Sequence, residues 1–282
     1  MMKMKKWFYL VWAIGLIFCQ PTVQADLVGP YGTAPITFDV DANGLLSATG
    51  TYGGTGSLSL SGAGTRMFWY PQKAAFRAGY VSGSQWDDTN IGNYSTAFGE
   101  NSKASGAISV AMGYNATANN TCAIALGPTT ASGTYSVAVG EATATGNYAS
   151  FAAGCSLASG STATSMGQLT TASGDYSTAM GYGSTASGST STAAGYYTTA
   201  AAYDSFVVGT YNVGTGTATS WVSGDPLFEV GNGTSSSAKA DALVVYKNGN
   251  ANVQGTLAAH GTVRFNAGGD LSMGSFTAGT AP

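Results

Sequence analysis

A short unit repeats through the middle of this chain, and its spacing restricts the fold more than any other feature. The pattern Ser-x-Ala-x-Gly recurs as Ser95-Ala97-Gly99, Ser109-Ala111-Gly113, Ala123-Ala125-Gly127, Ser136-Ala138-Gly140, Ser150-Ala152-Gly154, Ala163-Ser165-Gly167, Ser177-Ala179-Gly181, Ser191-Ala193-Gly195 and Ser205-Val207-Gly209. The closing glycines lie 14, 14, 13, 14, 13, 14, 14 and 14 residues apart. Between them sits a second motif: Ala104-Ser105-Gly106, Ala131-Ser132-Gly133, Ala158-Ser159-Gly160, Ala172-Ser173-Gly174 and Ala186-Ser187-Gly188. Short alternating runs ended by glycine read as strands and turns, and a fixed period reads as a stack of equivalent units. One period holds two strands of about five residues and two tight turns. The expected fold is therefore all-β, a parallel β-roll or solenoid with coils of 13–14 residues. Nine coils stacked about 4.8 Å apart would span about 43 Å.

Side chains alternate across a strand, so the Ser, Ala and Gly positions share one face and the intervening positions share the other. The intervening positions are larger: Phe98, Val110, Met112, Ile124, Leu126, Met166, Met180, Phe206 and Val208 are the main apolar ones. Two arrangements follow. If the small residues fill the roll, the apolar stripe points outward along its whole length, and other copies of the chain must cover it; these nine residues are then the interface. If the large residues fill the roll, no oligomer is required.

These repeats resemble the head repeats of trimeric autotransporter adhesins, the YadA-like or Hep/Hag family, whose pattern reads much like Tyr176-Ser177-Thr178-Ala179-Met180-Gly181 followed by Thr185-Ala186-Ser187-Gly188. The likeness spans about residues 93–216. It implies a left-handed roll, a homotrimer, and attachment to surface or matrix proteins or glycans. Two features of such adhesins are not found in the sequence: heptads sustained over several turns, and a membrane anchor of amphipathic strands ending on an aromatic residue. The sequence ends at Ala281-Pro282.

The flanks read as β caps. Residues 26–92 carry Ile36–Val40, the turn signal Asn43-Gly44, the alternating Ser57-Leu58-Ser59-Leu60 and the aromatic Arg66-Met67-Phe68-Trp69-Tyr70-Pro71, which suits closing an open end of the roll. Residues 217–282 carry Pro226–Val230, Asn232-Gly233, Ala242–Tyr246 and Asn248-Gly249, a strand-turn-strand series expected to form a stem. Residues 1–25 read as a signal peptide: Lys3, Lys5 and Lys6, an apolar run from Trp7 to Cys19, then Val23-Gln24-Ala25 before Asp26. The expected location is outside the cell or on its surface.

Composition removes other classes. Cleavage before Asp26 leaves 7 basic and 13 acidic groups, a net charge of −6, which does not attract a phosphate backbone. The one histidine, His260, has no trusted serine elbow or cysteine partner, so a hydrolytic triad is not expected. Hexapeptide-repeat acyltransferases also need a catalytic histidine and have a different period. No zinc spacing, Walker loop or glycine-aspartate calcium nonapeptide is present, and no cofactor or metal is expected. The chain is read as a non-enzyme. Cys122 and Cys155 fall at opposite ends of strands two coils apart, about 9.6 Å by coil spacing alone, too far for a bridge; free or interchain thiols are expected.

Tyr114, Tyr182 and Tyr196 share the position after the closing glycine and are the candidate ligand contacts, since tyrosine offers apolar area and a hydroxyl. Tyr94, Tyr135 and Tyr176 share the position before the strand. An adhesive surface module is the leading reading. A structural fibre or spike without a ligand is the alternative. An ice-binding solenoid would want a regular threonine column, and the column on the Ser-x-Ala-x-Gly strand is broken by Val110, Ile124, Val137, Phe151 and Phe206.

Overall fold

The computed structural model of the protein describes residues 37–40, 44–54 and 57–256. The signal-peptide segment, Asn43, His260 and the chain end lie outside the described residues. Nine strands stack in parallel along one face: Thr96–Glu100, Val110–Met112, Ile124–Leu126, Val137–Gly140, Phe151–Ala158, Thr164–Ala172, Thr178–Tyr182, Thr192–Tyr196 and Phe206–Thr210. Their register superimposes equivalent repeat positions, with Gly140 on Gly154 and Gly181 on Gly195. A second parallel stack forms the opposite face. Its strands are shorter than the repeat suggested, often two residues such as Thr130–Ala131, Thr143–Ala144 and Thr185–Ala186, because Ser and Gly of the Ala-Ser-Gly motif already turn the corner.

The small residues point inward. One interior column runs Ala97, Ala111, Ala125, Ala138, Ala152, Ser165, Ala179, Ala193 and Val207, all fully buried. A facing column runs Ala104, Ala118, Ala131, Ala144, Ala158, Ala172, Ala186 and Ala200. A buried methyl contributes only about 0.8 kcal/mol. Cohesion therefore rests on the unbroken ladder and on close backbone approach. Serines before the strands close the corner: Oγ of Ser95, Ser109 and Ser177 donates to the carbonyl three residues earlier at 2.6–2.7 Å.

Glycine is needed where coils nearly touch. A Cβ on Gly181 (φ +104°) would lie 2.1 Å from the Gly195 carbonyl oxygen. The 13-residue periods also have a local cause. After Gly127 and Gly154 the corner holds one residue (Pro128, Cys155) where most coils hold two; after Gly140 it also holds one (Glu141), but that coil's opposite corner, after Ala144, is one residue longer and restores 14. The omitted residue is the left-handed one, occupied elsewhere by Asn101, Asn115 and Leu169. Leu169 accordingly bulges where the ladder steps from Cys155–Gln168 to Ser156–Thr170.

Both ends of the Ala97 column are closed by charged side chains. Ala75–Val81 pairs in parallel ahead of the first coil and puts Arg77 opposite Ala97. Pro226–Asn232 pairs after the last and puts Glu229 opposite Val207. Arg77 is wholly buried; its guanidinium donates to the Phe76 and Ser95 carbonyls (2.8 and 2.9 Å), Ser95 Oγ (2.8 Å) and the Ala104 carbonyl (2.9 Å). Burial pushes it down to about 10, still protonated at neutral pH. Trp86 seals the same end, donating Nε1–H to the Ser102 carbonyl at 2.8 Å.

At the other end the next coil's carbonyl is replaced by a side chain. Thr185 N donates to the Thr198 carbonyl (2.7 Å), but Thr199 N donates to Asn212 Oδ1 (2.7 Å). Asn212 Nδ2 donates in turn to the Thr199 carbonyl at 2.9 Å and to Glu229 Oε2. Asp241 accepts from Val213 N at 3.1 Å.

The N-terminal cap departs from the sequence reading in two places. Ser57-Leu58-Ser59-Leu60 forms no strand; Leu58 packs against Tyr70, Ala75 and Ile91 while Leu60 stays exposed. In the aromatic strand Gly64–Tyr70, alternation buries Tyr70 but leaves Met67 74% and Trp69 39% exposed, so the core end is covered by Arg77 and Trp86 instead. The hairpin Thr37–Val40 with Leu46–Thr49, and the antiparallel strands Pro226–Asn232, Asp241–Tyr246 and Ala251–Val253, follow the turn signals read in the sequence.

Candidate binding surfaces

The roll presents two faces and two corners. The long-strand face carries the apolar stripe outward. Phe98 and Phe206 are exposed, with Met112; Val110, Ile124, Leu126, Met166, Met180 and Val208 are half-buried. Phe76 against Phe98 (5.4 Å between ring centroids) and Phe206 against Phe228 (5.9 Å) extend the stripe into both flanking strands. Eight intervals of about 4.8 Å by two side-chain columns make a strip on the order of 400 Å², a size at which an apolar patch is commonly an interaction site.

The short-strand face is polar. Its outward column reads Lys103, Thr117, Thr130, Thr143, Leu157, Thr171, Thr185 and Thr199. The sequence reading sought a threonine column on the other strand and so missed this one. Only the coil register shows that these threonines align.

Both corners hold residues in the left-handed region. Before the long strand stand Tyr94, Ile108, Cys122, Tyr135, Ala149, Thr162, Tyr176, Thr190 and Asp204, with φ from +46° to +59°. For residues other than Gly, Asn and Asp this conformation costs about 1 kcal/mol or more each. Cys122 occupies this corner and Cys155 the opposite one; both are free.

At the corner after the closing glycine, Tyr182 and Tyr196 stack on adjacent coils, ring centroids 5.3 Å apart and planes 14° apart. Tyr197 and Tyr211, absent from the sequence-derived set, form a second column, 5.1 Å and 9°. Rings of the two columns meet nearly edge to face, with interplanar angles of 72°, 86° and 78°. The result is a herringbone of four rings. Hydrogen bonding to Tyr182 and desolvation raise the Tyr197 phenol above its ordinary value; desolvation and hydrogen bonding with Tyr196 do the same for Tyr211. Raised in this way, the Tyr197 and Tyr211 phenols stay protonated at physiological pH. Tyr114 is exposed but five coils away, about 24 Å by coil spacing.

Among the described residues there is no group of three or more His, Cys, Asp or Glu side chains placed to hold a metal, and no helix long and apolar enough to cross a membrane.

Fold and surfaces together define a repetitive head module: a parallel β-solenoid cored by alanine and apolar on one flank. Segments 91–116, 109–130, 128–140, 158–184 and 186–212 match the family described as YadA head domain repeat (2 copies). These repeats are similar to the head repeats of the YadA-like trimeric autotransporter adhesins. Residues 141–157 lie between matched segments, yet Phe151–Ala158 keeps the ladder in step with its neighbours. No curated protein matches the chain.

Proposed function

We propose that this chain is an exported, non-catalytic surface-binding module that works as a homotrimer. The observation that carries the reading is the inward alanine column. Because methyl groups fill the roll, Phe98, Val110, Met112, Ile124, Leu126, Met166, Met180, Phe206 and Val208 face outward in one strip. Two further copies around a common axis would cover it. Residues 26–92 and 217–282 act as cap and stem, and residues 1–25 as the export signal. In a trimer assembled on the apolar strip, the corners and the threonine face stay available for ligands such as surface proteins or glycans. Tyr114, Tyr182 and Tyr196 are the contact residues.

Retention of the purified secreted form on surfaces coated with matrix proteins and glycans tests this. Retention, weakened by Tyr182→Ser with Tyr196→Ser, supports an adhesin. A stable trimer retained on nothing favours the structural fibre or spike.

The threonine column favours a second reading, a lattice-binding face. Six threonines in seven successive coils from Thr117 to Thr199 offer regularly spaced hydroxyl and methyl groups. Thermal hysteresis in freezing solutions supports it; its absence at high concentration removes it.

A further inference from the structure

We propose that Tyr182, Tyr196, Tyr197 and Tyr211 form a binding site for an extended, uncharged polysaccharide. The inference rests on the surface-binding reading above and names its ligand class. The fold itself does not ask for these tyrosines. At the equivalent left-handed position this chain uses Asn101, Asn115 and Gly183, which adopt such angles readily, and Leu169. Tyr197 (φ +53°) and Tyr211 (φ +40°) hold this left-handed backbone on adjacent coils, where Asn or Gly would meet it with less strain.

Four properties set the ligand class. The rings lock one another through stacked and edge-to-face contacts, so the surface is preorganised and loses little entropy on binding. The corner is uncharged in these coils: its other residues are Gln168, Leu169, Gly181, Gly183, Gly195 and Thr210. The one cation on the adjoining segment is exposed Lys239, next to Ala240, whose amide donates to the Tyr211 carbonyl. The backbone is already committed, with Gly183 N donating to Gln168 O (2.9 Å), Tyr197 N to Tyr182 O (2.7 Å) and Tyr211 N to Tyr196 O (3.1 Å). An added peptide strand would therefore leave its own amides unpaired. A sugar brings apolar C–H faces for ring contact and hydroxyls that phenols and water can both satisfy. Finally, the coil repeat of about 4.8 Å is close to the advance per residue of an extended pyranose chain, so successive sugars meet equivalent tyrosines.

The test is native affinity electrophoresis of the purified full chain in gels containing hydroxyethyl cellulose, galactomannan or soluble β-1,3-glucan, with dextran sulfate as the anionic control. At least one neutral polymer is expected to retard the chain, and dextran sulfate is not. The double variant Tyr197→Asn, Tyr211→Asn places a residue suited to the left-handed angle at both sites. It should fold with an unchanged sedimentation mass and bind at least tenfold more weakly. No retardation by any neutral polymer overturns the proposal, as does equal retardation of the variant. A variant that falls to a smaller oligomer also overturns it, because the tyrosines would then be interface residues. A chain retained on protein-coated surfaces but blind to every neutral polymer refutes this inference alone; a chain retained on neither refutes the surface-binding reading as well.

Discussion

Replacing Gly181 by alanine tests the claim that coils approach too closely for any side chain at the closing glycine. The new Cβ would lie 2.1 Å from the Gly195 carbonyl oxygen, whereas ordinary contact begins at 3.4 Å, so the two coils must part by about 1.3 Å (3.4 − 2.1). That movement strains the ladder between these two coils, where Thr178 N donates to Ser191 O and Tyr197 N to Tyr182 O. Losing both bonds costs about 2 kcal/mol, and holding alanine at φ +104° costs about 1–2 kcal/mol more. The expected loss is about 3–4 kcal/mol, a large part of the 5–15 kcal/mol typical of a domain. Gly249→Ala is the control: its φ is +86°, but a Cβ there meets nothing within 4 Å, leaving only the backbone strain of about 1 kcal/mol. Urea unfolding followed by circular dichroism gives the two values. Amide exchange should place the added opening of Gly181→Ala in the coils around residues 167–195, since each coil leans only on its neighbours. A Gly181→Ala loss within about 1 kcal/mol of the Gly249→Ala loss would refute the close-approach argument.

Three further outcomes follow from the ends and the corner. Arg77→Met removes a buried guanidinium that holds two inward carbonyls, and should cost about 2–4 kcal/mol, read by urea unfolding, with exchange rising first near residues 95–104. Burial raises the Glu229 carboxyl, with nearby Asp241 adding to it; the folded state therefore binds the proton more tightly than the unfolded chain does. Stability from this group should grow as pH falls through its raised folded value and level off below the unfolded value near 4.3. Glu229→Gln should flatten that slope relative to the parent chain, and parallel slopes would show that the burial carries no weight. Tyr182→Ser with Tyr196→Ser should lower surface retention while the circular dichroism spectrum stays unchanged.

The roll itself was legible in the sequence because its physics is periodic. Small residues at every second position, glycine closing each run and a period too short for a helix-containing unit left few alternatives. Which face turned inward could not be read from pattern alone. It was decided by the two alanine columns, whose coils lie too close for the residues of the stripe. The second strand was read as longer than it is, since Ala-Ser-Gly holds both its last paired residue and the start of the corner. Arg77 and Glu229 gave no sequence signal: each lies outside the repeats and becomes a plug only through pairing opposite Ala97 and Val207. Of the aromatic site, Tyr182 and Tyr196 were visible from their shared position. Tyr197 and Tyr211 were not, because the left-handed corner that brings them beside the first pair conventionally calls for Asn or Gly.

The central claim is that methyl groups fill the roll and the apolar strip is covered by further copies of the same chain. Sedimentation equilibrium of residues 26–282 tests it most directly. A mass three times that of the chain, falling to the monomer when Met112 and Met180 are replaced by aspartate, is the result expected. A stable monomer that leaves Phe98, Met112 and Phe206 in water would contradict it.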